Sequence, residues 1–157
     1  MPLNESGEII AKGPTIMREY WNNPAETAKT MSDGWLLTGD IGYMDDDGHI
    51  FIVDRKKDMV LSSGFNVYPR EIDELMYSHP KVLNACSFGV PDPKRGESLK
   101  LALVLKPGEE LTEAEVRDFC KEHLSGYKVP QQVIFVDELP LTPIGKPDRK
   151  KLRQQYV

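Results

Sequence analysis

Only two cysteines occur in 157 residues, Cys86 and Cys120, far apart and outside any C-x-x-C or metal-ligand spacing. Neither a disulfide framework nor a zinc site is expected, and both read as small core residues. No apolar run approaches the ~18 residues that a spanning helix needs, so no transmembrane segment is expected. The opening MPLNESGE lacks a basic-then-apolar secretory pattern, which points to a cytoplasmic protein. Positive charge is not in excess: 20 Lys and Arg stand against 25 Asp and Glu, a formal charge of -5. Non-specific nucleic-acid binding, which rests on cations neutralising phosphates, is therefore not expected. Aromatics are sparse at 8%, and none interleaves the basic end Lys146, Arg149, Lys150, Lys151, Arg153, which reads as a solvated helix face. The three histidines, His49, His79 and His123, share no ligand spacing. No metal site is expected in the chain.

Punctuation and periodicity, by contrast, are plentiful. From Gly7 to Val53 short apolar runs alternate with Gly, Pro and Asn clusters, which suits β structure. Asp45-Asp46-Asp47-Gly48 reads as a hairpin turn and lacks the alternating ligands and twelfth-position glutamate of a calcium loop. Five charged residues, Asp54-Arg55-Lys56-Lys57-Asp58, then interrupt two apolar stretches and mark a domain boundary.

Beyond it, Met59–Leu61 and Asn66–Tyr68 form a small hairpin, and Pro69 opens a helix whose Ile72, Leu75 and Met76 share a face, with Pro80 ending it. Val82–Val90 is an apolar strand, and Leu99, Leu101, Leu103 and Leu105 alternate as a half-buried strand requires. Thr112 with Glu115 makes a capping box for a helix with a Val116, Phe119, Cys120, Leu124 stripe, stopped at Gly126. A strand over Val133–Val136 and a short helix from Asp148 to Gln155 complete the order ββαββαβα, an α+β fold.

Three loop-like segments carry candidate chemistry. In Gly34-Trp35-Leu36-Leu37-Thr38-Gly39-Asp40, an aspartate placed at the head of a strand offers two acceptor oxygens to a ribose diol, or serves as a turn residue. The stretch Asp54 to Pro69 combines a charged linker suited to a hinge with Gly64, which permits close backbone approach to a ligand. In Pro140-Leu141-Thr142-Pro143-Ile144-Gly145-Lys146-Pro147, prolines stiffen a loop that presents one ammonium group at a defined place.

Together GWLLTGD, DRKKDMVLSSGFNVYPREIDE and PLTPIGK resemble the adenylate-forming superfamily of acyl-CoA synthetases, luciferases and peptide-synthetase adenylation domains, from about Gly7 to Tyr156. The middle motif looks most like bacterial long-chain fatty-acid ligases, and Leu61 stands where luciferases and coumarate-type ligases place a second lysine. The resemblance implies a small antiparallel sheet packed with helices, the mobile C-terminal domain, preceded by a β-rich remnant of the large ATP-binding domain. It implies that Lys146 bridges substrate carboxylate and α-phosphate, and that Asp40 and Arg55 hold the ATP ribose. Lys57 would be the hinge, Ser63, Gly64 and Phe65 would line the pantetheine tunnel, and Arg95 would meet the CoA nucleotide phosphates.

The expected organisation is residues 1–54 as the last segment of the N-terminal domain, 55–57 as hinge, and 58–157 as the mobile domain. The expected activity is that of an acid–thiol ligase using ATP, CoA and Mg²⁺ on a fatty acid or other carboxylic acid. The phosphate loop, the acyl pocket and the glutamate that positions Mg²⁺ are expected upstream of Gly7, so the chain alone is expected to be inactive. Residues 1–54 are expected either to be disordered or to seek a partner for their strands, by homodimer formation or strand exchange. The rival readings are a stand-alone module that binds CoA or a partner chain, and an adenylation domain of another acyl-activating branch.

Overall fold

The computed structural model describes residues 2–157, and the chain divides into two compact units, Met1–Lys57 and Asp58–Val157. The first unit is a four-stranded sheet built from β1 (Gly7–Ala11), β2 (Met31–Ser32), β3 (Trp35–Met44) and β4 (Ile50–Arg55), with α1 (Pro24–Thr30) inserted before β2. The β3–β4 hairpin closes on Asp45, whose Oδ1 accepts the N–H groups of Asp47 and His49 at 3.0 and 2.8 Å. Asp45, Asp47 and His49 lie close together at this exposed turn, and the aspartate that anchors it is already engaged in the turn's own hydrogen bonds. The helix α1 has no counterpart in the sequence reading. Its start signal is present, since Asn23 accepts from the Glu26 N–H and Pro24 follows, but none of its residues is buried, so no apolar periodicity marks it.

Ile41 is the one buried hydrophobic side chain of this unit among the described residues. Ile50, Phe51 and Ile52 are consecutive and all exposed, so both faces of β4 present apolar surface; Trp21 is 87% exposed. A strand apolar on both faces has the composition of one covered on both sides.

The second unit holds β5 (Val60–Ser62), β6 (Phe65–Val67), α2 (Pro69–Ser78), β7 (Val82–Asp92), β8 (Gly96–Leu105), α3 (Glu113–His123), β9 (Gln132–Phe135) and α4 (Arg149–Tyr156). The order of elements is the one the periodicity predicts. Four strands run antiparallel in the order β6-β5-β8-β7, and β9 adds to β8 in parallel. Since β7 pairs with β8 from Val82↔Leu105 to Asp92↔Gly96, β5 and β9 share the other edge of β8, and β7 is an end strand.

Alternation along β8 divides the core in two. Leu99, Leu101 and Leu103 face one cluster with Ile72 and Met76 of α2 and Val116 and Cys120 of α3. Ala102 and Val104 face the other, with Cys86, Phe88, Leu139 and Leu152 of α4. Both cysteines are buried and free, as expected of core residues, and burial pushes the Cys86 thiol up to about 12.

Helix α3 begins as its capping box dictates, with Thr112 accepting from the Glu115 N–H and Glu115 accepting from the Thr112 N–H. The Thr112 hydroxyl and backbone hold the Glu115 carboxyl below its usual range. The helix does not run to Gly126: Leu124 is already extended, and Gly126 opens a separate 3-10 turn, Gly126–Lys128. Leu124 thus joins the core from outside the helix. Thr112→Ala, which removes the cap, should cost about 1 kcal/mol in urea unfolding of the second unit. An unchanged midpoint would mean that the box does not set this helix start.

Candidate functional site

Asp40 lies within β3, five residues after the strand begins at Trp35, and not at a strand head. A bulge leaves it half-buried and off the β1 ladder: β1 and β3 pair Glu8 with Ile41 but Ile10 with Leu37, so extra residues on β3 are pushed from the ladder. Gly39 takes φ +72° there, a conformation that favours glycine. The Thr38 hydroxyl donates to the Ile9 carbonyl at 2.7 Å and accepts the Asp40 N–H at 3.1 Å, while Gly39 N–H donates to Glu8 Oε1 at 3.2 Å. Asp40 is then the direct cross-strand partner of Arg55, and Arg55 Nε lies 2.8 Å from Asp40 Oδ1. Lys56 pairs with Glu8 at 2.7 Å. Residues 48 apart in sequence thus complete the cluster, and Glu8 carries no motif that would have singled it out.

Lys56–Asp58 is a 3-10 turn, in which Lys57 is exposed. Past it, Ser62 and Phe65 pair across a two-residue turn in which Ser63 and Gly64 both have positive φ, +53° and +84°, the geometry that suits the strand twist of a hairpin. Ser63, Gly64 and Phe65 are all exposed at its tip. This tip is docked on the turn before β8: Ser63 N–H donates to the Arg95 carbonyl at 2.9 Å, and Leu61 N–H donates to Glu97 Oε2 at 2.8 Å. Arg95 therefore lies beside Ser63 and Gly64, in a turn whose Asp92 accepts the N–H groups of Lys94 and Arg95. Phe65 stacks on Tyr127 at 4.7 Å, leaving an exposed pair of rings that the motifs do not mark.

Lys146 is exposed on a loop that closes on itself. Thr142 N–H donates to the Lys146 carbonyl at 2.7 Å, the Lys146 N–H donates to the Thr142 hydroxyl at 3.2 Å, and Asp148 N–H donates to the Pro140 carbonyl at 2.8 Å. The Lys146 ammonium forms no ion pair among the described residues. Beside the loop lies a groove of about 570 Å³, lined by Tyr77, Leu83, Asn84, Leu141 and Pro147 among others. The groove adjoins the Leu83 end of β7, whereas the Ser63–Arg95 turns adjoin the Asp92 end. At ~3.3 Å per strand residue these two ends are roughly 30 Å apart.

The basic end is not a solvated face throughout. Arg149 Nη2 meets Asp73 Oδ2 at 2.5 Å, and Arg149 Nε donates to the Ser87 carbonyl at 3.0 Å. Arg153 Nε donates to the Gly89 carbonyl at 2.9 Å. The spacing on α2 held the missed signal, because Asp73 lies on the same buried side as Ile72 and Met76, where a charge needs a partner.

Residues 71–146 match the family model of the AMP-binding enzyme C-terminal domain. The long-chain-fatty-acid–CoA ligase of Bacillus subtilis is 47% identical over 151 residues, 96% of this chain and 27% of the relative. ATP-bound MatB from Rhodopseudomonas palustris superposes with a TM-score of 0.92 at 36% identity, covering 99% of this chain and 31% of that one. The amide bond synthetase McbA from Marinactinospora thermotolerans gives 0.91 at 38%, covering 100% and 32%. By these matches the chain is similar to adenylate-forming enzymes, and its second unit holds the segment that matches the AMP-binding enzyme C-terminal domain. Among such enzymes its sequence is similar to long-chain fatty-acid–CoA ligases, and it spans just over a quarter of the length of the curated relatives it matches. Among the described residues no helix is long and apolar enough to cross a membrane.

Burial outweighs the attraction of Arg149 and pushes the Asp73 carboxyl from 3.8 up to about 6. A carboxyl with a raised folded-state pKa holds its proton more tightly folded than unfolded. Its stabilising contribution is therefore fully present below about 4 and lost as pH rises through about 6. A shift of that size corresponds to roughly 3 kcal/mol. Urea midpoints measured between pH 4 and 7 should show this decline, and Asp73→Asn should flatten it. Equal slopes in the two proteins would contradict the assignment to Asp73.

Proposed function

We propose that this chain is the carboxy-terminal part of an acid–thiol ligase that joins a fatty acid to CoA through an acyl-adenylate, using ATP and Mg²⁺. The observation that carries the proposal is Lys146, an exposed ammonium group on a loop pinned at both ends. When a carboxylate attacks the α-phosphorus and pyrophosphate leaves, two anions approach each other. A cation preorganised at the forming bond lowers that barrier. In this reading Asp40 and Arg55 face the nucleotide ribose. Their fit rests on the bulge, which leaves the Asp40 carboxylate accessible beside a guanidinium.

In the second step the CoA thiol attacks the acyl carbon and AMP leaves. Ser63, Gly64 and Phe65 would line its approach, with Arg95 meeting CoA phosphates. The exposed Ser63–Gly64 turn and the neighbouring Arg95 support this assignment, as does their placement at the opposite strand end from the lysine loop. One domain that serves the two steps from different surfaces would turn about Lys57. These residues hold no Ser/Thr/Gly-rich phosphate loop, so the chain by itself is expected to be inactive. Solved relatives include an amide bond synthetase, so the nature of the acceptor is part of the proposal.

In the whole enzyme, Lys146→Ala should slow adenylate formation by about 10² or more. Transfer of pre-made acyl-adenylate to CoA should survive, whereas Lys57→Pro should do the reverse. Equal loss of both half-reactions in Lys146→Ala would overturn its role.

The apolar surface of the first unit supports a further part of the proposal, that strands of residues 1–54 pair with additional protein or with a second copy. Sedimentation of the 157-residue chain should then show concentration-dependent association, and a monomer at all concentrations would remove the second-copy form.

A further inference from the structure

Among the described residues the end strand β7 has no strand neighbour on its outer side, yet four of its backbone groups there are engaged. The Tyr77 hydroxyl donates to the Ala85 carbonyl at 3.2 Å, and Asp73 Oδ1 accepts the Ser87 N–H. Arg149 and Arg153 occupy the carbonyls of Ser87 and Gly89. Helix α2 packs on one face of the sheet and α4 on the other, so Arg149 reaches Asp73 around the β7 edge. Its guanidinium also stands 3.9 Å from Asp58, the residue that follows Lys57.

Position in the chain gives this bridge its consequence. Arg149 begins α4, and the preceding Asp148 caps the helix while its N–H closes the lysine loop on Pro140. Lys151 Nζ reaches the Leu141 carbonyl from the same first turn, at 3.5 Å. The loop bearing Lys146 thus stands on the first turn of α4, and that turn is held to the sheet edge by Arg149.

We propose that Arg149 is a positioning residue for Lys146, its guanidinium locked across the β7 edge by Asp73 and Ser87 and tying the base of the lysine loop to Asp58, next to the hinge. The function of this tie rests on the assignment of Lys146 to adenylate formation. A buried ion pair that costs stability but fixes one arrangement is a device for specificity, since desolvation offsets the Coulombic gain. Lowering the pH should therefore separate two quantities that a purely structural pair would move together. Protonation of Asp73 stabilises the fold yet weakens the hold on Arg149. Charged groups on the elements that carry the pair are Asp58 from the 3-10 turn, 3.9 Å from Arg149, Asp148 at the α4 cap, and Arg70 and Glu74, paired with each other on α2. The nearby Cys86 thiol stays neutral up to about 12.

The test is amide hydrogen exchange on the 157-residue chain, expressed as protection factors for the Thr142 and Asp148 N–H groups. Arg149→Gln, or Asp73→Asn if the first variant does not fold, should lower both by about fivefold or more, with Lys150→Ala as an exposed control that leaves them unchanged. In the unmutated chain the same protection should fall as pH drops through about 6 while the urea midpoint rises. Protection that follows global stability, or that is indifferent to Arg149 and Asp73, overturns the proposal. In the whole enzyme Arg149→Lys should lower kcat for adenylation by about 10-fold with KM for ATP unchanged. If the loop loosens while Lys146→Ala adenylates normally, the tie stands and the role of Lys146 falls.

Discussion

The free edge of β7 is the constraint around which the second unit is organised. A strand at the end of a sheet leaves N–H and C=O groups without ladder partners, and those groups must be satisfied or they invite another strand. Here Asp73 and Tyr77 from one helix and Arg149 and Arg153 from another take them up. Packing of α2 and α4 on opposite faces, alignment of their polar ends at one edge, and placement of the loop before α4 are parts of one solution. Remove the edge, and nothing requires Arg149 to be where it is.

The pair at the centre of that solution is expensive. Desolvation of the Asp73 carboxyl exceeds the attraction of Arg149, so the carboxyl is harder to ionise than in water. Replacement by apolar side chains would be expected to give a more stable domain. Retention of charge is understandable if a defined loop position matters more than the last increments of stability, as it would for a lysine meant to meet a phosphate. The first unit follows a different economy: a bulge and two cross-strand ion pairs set Asp40 and Arg55 side by side, while Ile50, Phe51 and Ile52 remain uncovered.

Much of the second unit was legible in the sequence, because its signals are local. The alternating leucines of β8, the Pro69 helix start and the Thr112–Glu115 box each depend on residues a few positions apart, and each appears where periodicity or capping requires. Boundaries were less legible. Gly126 has the chemistry of a helix stop, but the helix ends before Leu124, which the core draws in as an extended residue. Helix α1 leaves little trace in the sequence because it buries nothing, so its cap has no apolar stripe to accompany it.

The sequence by itself determined the family resemblance, the order of elements in the second unit and the identity of the candidate groups, because motifs and hydrophobic periods are written in neighbouring residues. Tertiary structure alone decided which of those groups meet. Asp40 faces Arg55 through a strand register shifted by a bulge, Ser63 docks on the Arg95 carbonyl through a turn more than thirty positions on, and Arg149 leaves the basic helix face to reach Asp73 across a sheet edge. The physical reason is the same in each case. Burial and backbone satisfaction are properties of the assembled sheet, and no local spacing reports the strand register or the edge at which a charge finds its partner.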